Sequence, residues 1–250
     1  SIFPFYNKLL ERNIGVVTPN KKANTCNYAI FNTLIKYNNY KFETTVGAGL
    51  PIIHSIKNLQ NCQDTVIKIE AILSGSLSYI FTTFMNNDKS FSDIVKEAQN
   101  KGFTEPNPLD DLIGADVARK MLIITRLLGF TYEMDDIQSD VFLSENCLSA
   151  KCSQDFLCHL ETMNDNMNKK KEYAIENSLK LKHVAVLEDG KVHIKLLYVN
   201  QDHPFYNLQG SDNMIMITSE FYKHNPFIIR GPGAGAQVTA SGIISDIFNI

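Results

Sequence analysis

The chain has 250 residues, a formal net charge of −3 and a 44% hydrophobic fraction. That charge excludes the concentrated basic face of a nucleic-acid binder, and no apolar run reaches the ~20 residues that cross a bilayer. Its cysteines, Cys26, Cys62, Cys147, Cys152 and Cys158, are odd in number and fit neither a disulfide framework nor a zinc spacing. They read as reduced thiols in a reducing compartment.

Residues 3–13 read as a helix closed by Asn13 and Gly15, followed by a short buried strand at Val16-Val17 and the turn Thr18-Pro19-Asn20. A helix over 22–37 follows, with Tyr28, Phe31, Leu34 and Ile35 as its apolar stripe. This order matches the tail of a doubly wound nucleotide-binding domain, whose front half carries a glycine fingerprint that the chain lacks. The opening SIFPFYNKLLERNIG has no initiator Met and no secretory apolar region. The expectation is a piece that starts inside a longer protein, and SDIFNI at the end reads as a helix cut short.

KFETTV, 41–46, reads as a strand, and Gly47-Ala48-Gly49 leads into a helix with Pro51 in its first turn. DTVIKIEAIL (64–73) alternates as a strand, Ser74-Gly75-Ser76 is a loop, and LSYIFTTFM is a helix. Ser90 to Asp93 caps a helix over 91–101, with Gly102 as its C-cap. One long helix over 109–129 follows the GFTEPNP loop and ends at Gly129. Residues 140–180 read as helical, polar and peripheral. LKHVAVLE and KVHIKLLYV flank Asp189-Gly190 in a hairpin. HPFYNLQGSDN is a structured loop, MIMITSEFY a strand, and FIIR, GPGAG and QVTASGIISDIF a strand, a loop and a helix.

Chemistry concentrates on the helix over 109–129. Lys120 falls on its apolar stripe, three residues after Val117, and Asp116 lies one turn earlier, within side-chain reach. A surface ion pair is one reading. A lysine on a buried stripe, with its pKa pulled toward neutrality and suited to proton transfer, is the other. Glu105, held between Thr104 and two prolines, either aims a carboxylate at a ligand or belongs to a plain turn. Asp110 and Asp111 stand where helix N-termini are capped. Lys21 and Lys22 follow a strand end, where a lysine meets a cofactor or substrate or is simply solvated. Glu43 beside the carbonyl-rich V-G-A-G-L-P loop fits either a hard cation or a tight glycine turn. GPGAG stands too near the end of the chain to open a dinucleotide unit and reads as a close backbone approach to a ligand. The histidines show no metal spacing, and SGS is not a hydrolase elbow.

Taken in series, VVTPNKKAN, ETTVGAGLPII, AILSGSLSYIF, GFTEPNPLDDLIGADVARK, HPFYNLQGSDN and RGPGAGAQVTASGIISDI resemble homoserine dehydrogenase over nearly the whole chain. The wording is nearest the dehydrogenase half of bifunctional aspartokinase–homoserine dehydrogenases. The resemblance implies an α/β fold: a mixed-sheet catalytic and dimerisation domain with helices largely on one face, over 26–225. Remnants of a Rossmann-type nucleotide-binding domain would flank it at 1–25 and 226–250. It implies NADPH- or NADH-dependent interconversion of L-aspartate 4-semialdehyde and L-homoserine, on the route to threonine, methionine and isoleucine. It also implies a homodimer, a fused aspartokinase upstream in some relatives, and a cytoplasmic or plastid location.

By position, the resemblance makes Lys120 the catalytic acid/base and places Glu105, Asp111 and Asp116 at the substrate. Lys21 and Gly235 fall at the cofactor. Glu43 with the carbonyls of Val46, Ala48 and Leu50 matches a monovalent-cation site such as one for sodium. The family pattern T-E-P-D-P-R-D-D is altered here by Asn107 and Leu109. Without the dinucleotide fingerprint the chain by itself is expected to be inactive. Two alternatives stand beside the dehydrogenase: a non-catalytic dimerisation scaffold, and a different semialdehyde or hydroxy-acid oxidoreductase.

Overall fold

The computed structural model of the chain describes residues 2–250. The first third contains α1 (Phe3–Leu10), β1 (Val16–Val17), α2 (Tyr28–Leu34), β2 (Tyr40–Lys41), α3 (Ile52–Asn61), β3 (Val66–Ile72) and α4 (Gly75–Met85). The middle is helical: α5 (Phe91–Asn100), α6 (Leu109–Leu112), α7 (Ala115–Leu127), a short β4 (Ile137–Ser139), α8 (Glu145–Leu148), α9 (Ser153–Glu161) and α10 (Asn164–Glu176). Strands then dominate with β5 (Lys180–Glu188), β6 (Lys191–Val199), β7 (Asp212–Ser219) and β8 (Phe227–Pro232), before the closing α11 (Ala236–Phe248).

Six strands form one mixed sheet in the order β4-β6-β5-β3-β7-β8, and β1 pairs with β2 in a separate parallel ribbon. The β5–β6 hairpin keeps perfect register from Lys180↔Val199 to Glu188↔Lys191. Its turn residues, Asp189 and Gly190, both have positive φ, the twist-matching geometry that favours this pairing. Period-two alternation sends Ile69, Ala71, Ala185, Ile215 and Ile217 to one face, where they bury against Ile80, Phe81, Phe84, Ile94, Met121 and Ile124. A smaller cluster on the other face joins Ile72, Val184 and Met214 to Phe205 and Leu208 of the loop after β6. Helices therefore cover one face, as expected.

Several local expectations are corrected. The strand expected over 41–46 stops at Lys41, and Glu43–Thr45 is a 3-10 turn, because the Thr45 hydroxyl donates to the Phe42 carbonyl at 2.7 Å in place of a ladder partner. The helix expected over 22–37 is a 3-10 turn at Lys21–Ala23 and then α2, whose Asn27 side chain accepts from Ala29 N. Helix 109–129 is broken into α6 and α7 at Gly114, which sits at φ +72, a left-handed conformation that favours glycine. The region 140–180 is no mere surface appendage: Cys147, Phe156, Leu160, Met167 and Ala174 are fully buried in the main core.

Arg126 staples the first segment to the rest. Its side chain is fully buried and donates to the carbonyls of Asn24, Cys26 and Tyr132 at 2.8, 2.6 and 2.8 Å, and to Glu133 Oε2 at 2.7 Å. Glu133 Oε1 accepts in turn from Tyr28 N at the start of α2. Those carbonyls are taken by a guanidinium, so no helix runs through Asn24 to Cys26.

Candidate active site

A cleft of about 780 Å³ opens where the N-termini of α4 and α7 meet the glycine loop before α11. Lys120 stands in it, 8% exposed. The break at Gly114 starts α7 afresh, and one turn later Asp116 and Lys120 come to lie on the same side of the helix. The Lys120 ammonium donates to Asp116 Oδ2 at 2.8 Å and to the Leu73 carbonyl at 2.6 Å. An ammonium carries three N–H donors. Among the described residues no third acceptor meets it, so one donor is left for the cleft.

Asp116 also takes Lys21, whose Nζ lies 3.2 Å from Oδ1. One half-exposed carboxylate thus bridges two lysines from elements far apart in sequence. Burial alone would push the Asp116 carboxyl up, but Lys120 and Lys21 outweigh it and hold the group below the usual carboxylate range. Burial pulls the Lys120 amine below its ordinary value, and Asp116 opposes that pull. Burial and the neighbouring carboxylate thus act on the Lys120 amine in opposite directions, and a lysine whose pKa is lowered by burial is suited to proton transfer.

Glu105 and Asp111 also line the cleft, with different employments. The Asp111 carboxylate is engaged within the protein, accepting from Ser76 Oγ at 2.8 Å and from Glu105 N at 2.8 Å. It ties the start of α4 to the loop over 103–108. That loop is pinned further by Gln99, which donates to the Pro106 carbonyl, and by Phe103 stacked on Tyr79 at 4.2 Å. Asp111 thereby holds Glu105, whose exposed side chain meets no partner among the described residues. The two departures from the family pattern fit this loop: Asn107 Oδ1 accepts from Leu109 N at 3.3 Å, as an aspartate would, and Leu109 packs on the core.

Gly235 and its neighbours Gly233 and Ala234 form the opposite wall of the cleft, and Gly235 has φ +124. Glu43 serves the backbone: Oε1 accepts from Ile53 N at 2.7 Å and Oε2 from His54 N at 2.8 Å, capping α3. Burial pushes its carboxyl up to about 7 against these donors. Among the described residues no group of three or more His, Cys, Asp or Glu side chains is placed to hold a metal ion. Of the carbonyls named with it, that of Leu50 accepts from Ile52 N. Val46 is buried, and Ala48 lines the cleft. The structure thus brings Lys21, Glu105, Asp111, Asp116, Lys120 and Gly235 together, and sets Glu43 to capping. Sequence reasoning missed the Leu73 carbonyl and Asn213, which donates to it at 3.3 Å. A backbone acceptor has no sequence signal, and the QGSDN motif was the available hint for Asn213.

A family model described as "Homoserine dehydrogenase" matches residues 51–248. A maize protein, "Bifunctional aspartokinase/homoserine dehydrogenase 2, chloroplastic", is 39% identical over 257 residues, covering all of this chain and 28% of its own length. A homoserine dehydrogenase of Saccharomyces cerevisiae is 40% identical, covering 98% of this chain and 71% of the yeast protein. A hyperthermophilic archaeal homoserine dehydrogenase, solved in complex with NADPH, superposes with a TM-score of 0.72 at 25% identity, over 99% of this chain and 67% of that one. This chain thus spans under a third of the maize protein it matches and about seven tenths of the yeast protein.

Proposed function

The chain belongs to the homoserine dehydrogenase family, and from that premise we propose that it forms the catalytic part of an NAD(P)-dependent homoserine dehydrogenase. The reaction is the interconversion of L-aspartate 4-semialdehyde and L-homoserine. One observation carries the reading: Lys120 sits at the cleft with two donors committed, to Asp116 and Leu73, and its third meets no acceptor among the described residues.

When bound, a nicotinamide dinucleotide would supply the hydride for the carbonyl carbon. Lys120 supplies the proton: its N–H bond breaks as the O–H bond of homoserine forms, and the neutral amine regains a proton from solvent. Asp116 keeps the lysine charged until then and fixes its direction. Glu105, on its pinned loop, holds the substrate ammonium. Lys21, across Asp116, adds positive charge where the substrate carboxylate and the cofactor meet. Asp111 acts by holding the Glu105 loop.

The residues present fit a nicotinamide cofactor on one wall: Gly233 to Gly235 expose backbone to the cleft, and α11 starts there with no side-chain cap. The solved archaeal relative holds NADPH, which supports a dinucleotide of that type. The parallel β1–β2 ribbon, with exposed Phe5, Ile14, Ile244, Ile247 and Phe248 nearby in α1, α11 and their flanks, reads as one side of a nucleotide-binding domain. A fused aspartokinase, as the name of the maize relative describes, and the stand-alone form named in yeast are both open for the whole protein. We also propose a homodimer through the helix-free sheet face. Cross-strand register lines up Ile228, Met216, Glu70, Val186 and His193 there. The pathway toward threonine, methionine and isoleucine follows from the reaction. Among the described residues no helix is long and apolar enough to cross a membrane.

The test is turnover by the full-length protein that carries this chain. Nicotinamide oxidation with aspartate semialdehyde should accompany homoserine formation, identified by mass spectrometry. Glu105→Gln should raise the KM for the semialdehyde at least tenfold and leave the Kd of the cofactor unchanged. Equal turnover of carbonyl compounds lacking the α-ammonium would sink the assignment.

A further inference from the structure

We propose that Asn213 is a positioning residue for Lys120, acting through the Leu73 carbonyl that both side chains share. This rests on the reading of Lys120 as the proton donor. Asn213 is 1% exposed, on the inward face at the start of β7. Its Nδ2 donates to Leu73 O at 3.3 Å, and Lys120 Nζ donates to the same oxygen at 2.6 Å. A carbonyl oxygen has two lone pairs, so it serves both donors at once. Leu73 is the last residue before the Ser74 cap of α4, where β3 has already left the ladder. Its carbonyl is therefore free of strand pairing, and these two side chains fix where it points.

The orientation of the amide is determined. Turned over, its oxygen would face the Leu73 oxygen with no proton between them. As placed, a polarised amide N–H converges on the oxygen that grips the ammonium. It holds the carbonyl in line with Lys120 and tempers that grip, because two donors share one acceptor. The same carboxamide meets the glycine loop: any side chain at Gly233 would overlap it. Asn213 Oδ1 is buried and, among the described residues, without a partner. A single side chain thus touches both the wall assigned to the cofactor and the acceptor that aims the lysine. Lys120, Leu73 and Asn213 come from α7, the end of β3 and β7, so seating of the loop at Gly233 and the direction of the Lys120 ammonium depend on the same carboxamide.

Two near-isosteric variants separate this role from packing. Asn213→Leu removes the competing N–H, and Asn213→Asp places a carboxylate beside the ammonium. In the full-length protein, the titration of Lys120 is read by competitive acetylation against pH, with the peptide bearing Lys120 quantified by mass spectrometry. This readout needs neither substrate nor cofactor. The midpoint should rise by about half a pH unit in Asn213→Leu and by at least about one unit in Asn213→Asp. The alkaline limb of kcat should move the same way, with KM for the semialdehyde changed less than threefold. A wild-type midpoint in both variants, or kcat and KM changing together with no shift of the limb, overturns the proposal. If one variant does not fold, the midpoint in the other decides alone. If the labelling order holds while the wild-type protein turns over no semialdehyde, the positioning role stands and the dehydrogenase reading fails.

Discussion

At the scale of single residues, Asp116 decides how Lys120 behaves. It is the only carboxylate recorded against either Lys21 or Lys120 among the described residues. Asp116→Asn leaves two ammonium groups beside a neutral amide, and the Lys120 amine falls further below its ordinary value. The alkaline limb of the reductive kcat profile should move down by at least about one pH unit, because the proton donor is lost earlier as pH rises. A second residue speaks through stability. His183 is buried against Phe81 and Phe142, and burial lowers it to about 4. Above pH 6.5 the side chain is neutral in both states. Between 6.5 and 4 the unfolded chain takes up a proton that the folded one refuses, so this contribution is lost as pH falls through that window. About 2 kcal/mol should go between pH 7 and pH 5 from this group. His183→Phe should lose correspondingly less in urea unfolding at the two pH values. The Asp116–Lys120 pair was readable in the sequence because i, i+4 spacing and an apolar stripe are local. Glu43 was not, since its partners are the N–H groups of α3, ten and eleven residues on, and a cap looks like any carboxylate beside glycines.

Among elements, regular pieces with strong periodicity were legible and their interruptions were not. The β5–β6 hairpin followed from two alternating strands around Asp-Gly. The inward face of α7 followed from its stripe, but the break at Gly114 did not, because an isolated glycine in a helical pattern is normally tolerated at a cost of about 1 kcal/mol. Residues 41–46 alternate as a strand does, yet Thr45 and Glu43 turn back on the backbone. The segment 140–180 looked peripheral from its Asn and Lys content, while its few large apolar residues pack inward. Arg126 is the most consequential element-level contact missed, joining α7, α2 and the 132–133 turn. Arg126→Met keeps the packing volume but orphans three carbonyls. Glu133 is half-exposed and can be rehydrated, so the loss sits at the lower end for a buried ion pair, about 3 kcal/mol. Thermal and urea unfolding of the variant would show it, and a change under 1 kcal/mol would show that the staple is redundant.

For the whole molecule, the fold class was readable, a mixed sheet with helices on one face, and Lys21, Glu105, Asp111, Asp116, Lys120 and Gly235, singled out in the sequence, line one cleft. What lay beyond reach were backbone acceptors such as Leu73 and the shared carboxamide of Asn213, which exist only once β3, β7 and α7 converge. The open sheet face makes a prediction of its own. Ile228 is 42% exposed on it, and under the proposed homodimer Ile228→Glu should shift sedimentation from dimer to monomer while leaving the circular dichroism unchanged. An unshifted dimer would place the interface elsewhere. The central claim is that Lys120 moves the proton, and the most direct measurement is single-turnover reduction of aspartate semialdehyde by the full-length protein and its Lys120→Ala variant. The account predicts at least about a hundredfold loss of rate, the usual consequence of removing a general acid, with cofactor affinity within threefold of wild type. A rate within threefold of wild type would contradict it and leave Lys120 as one half of a structural ion pair.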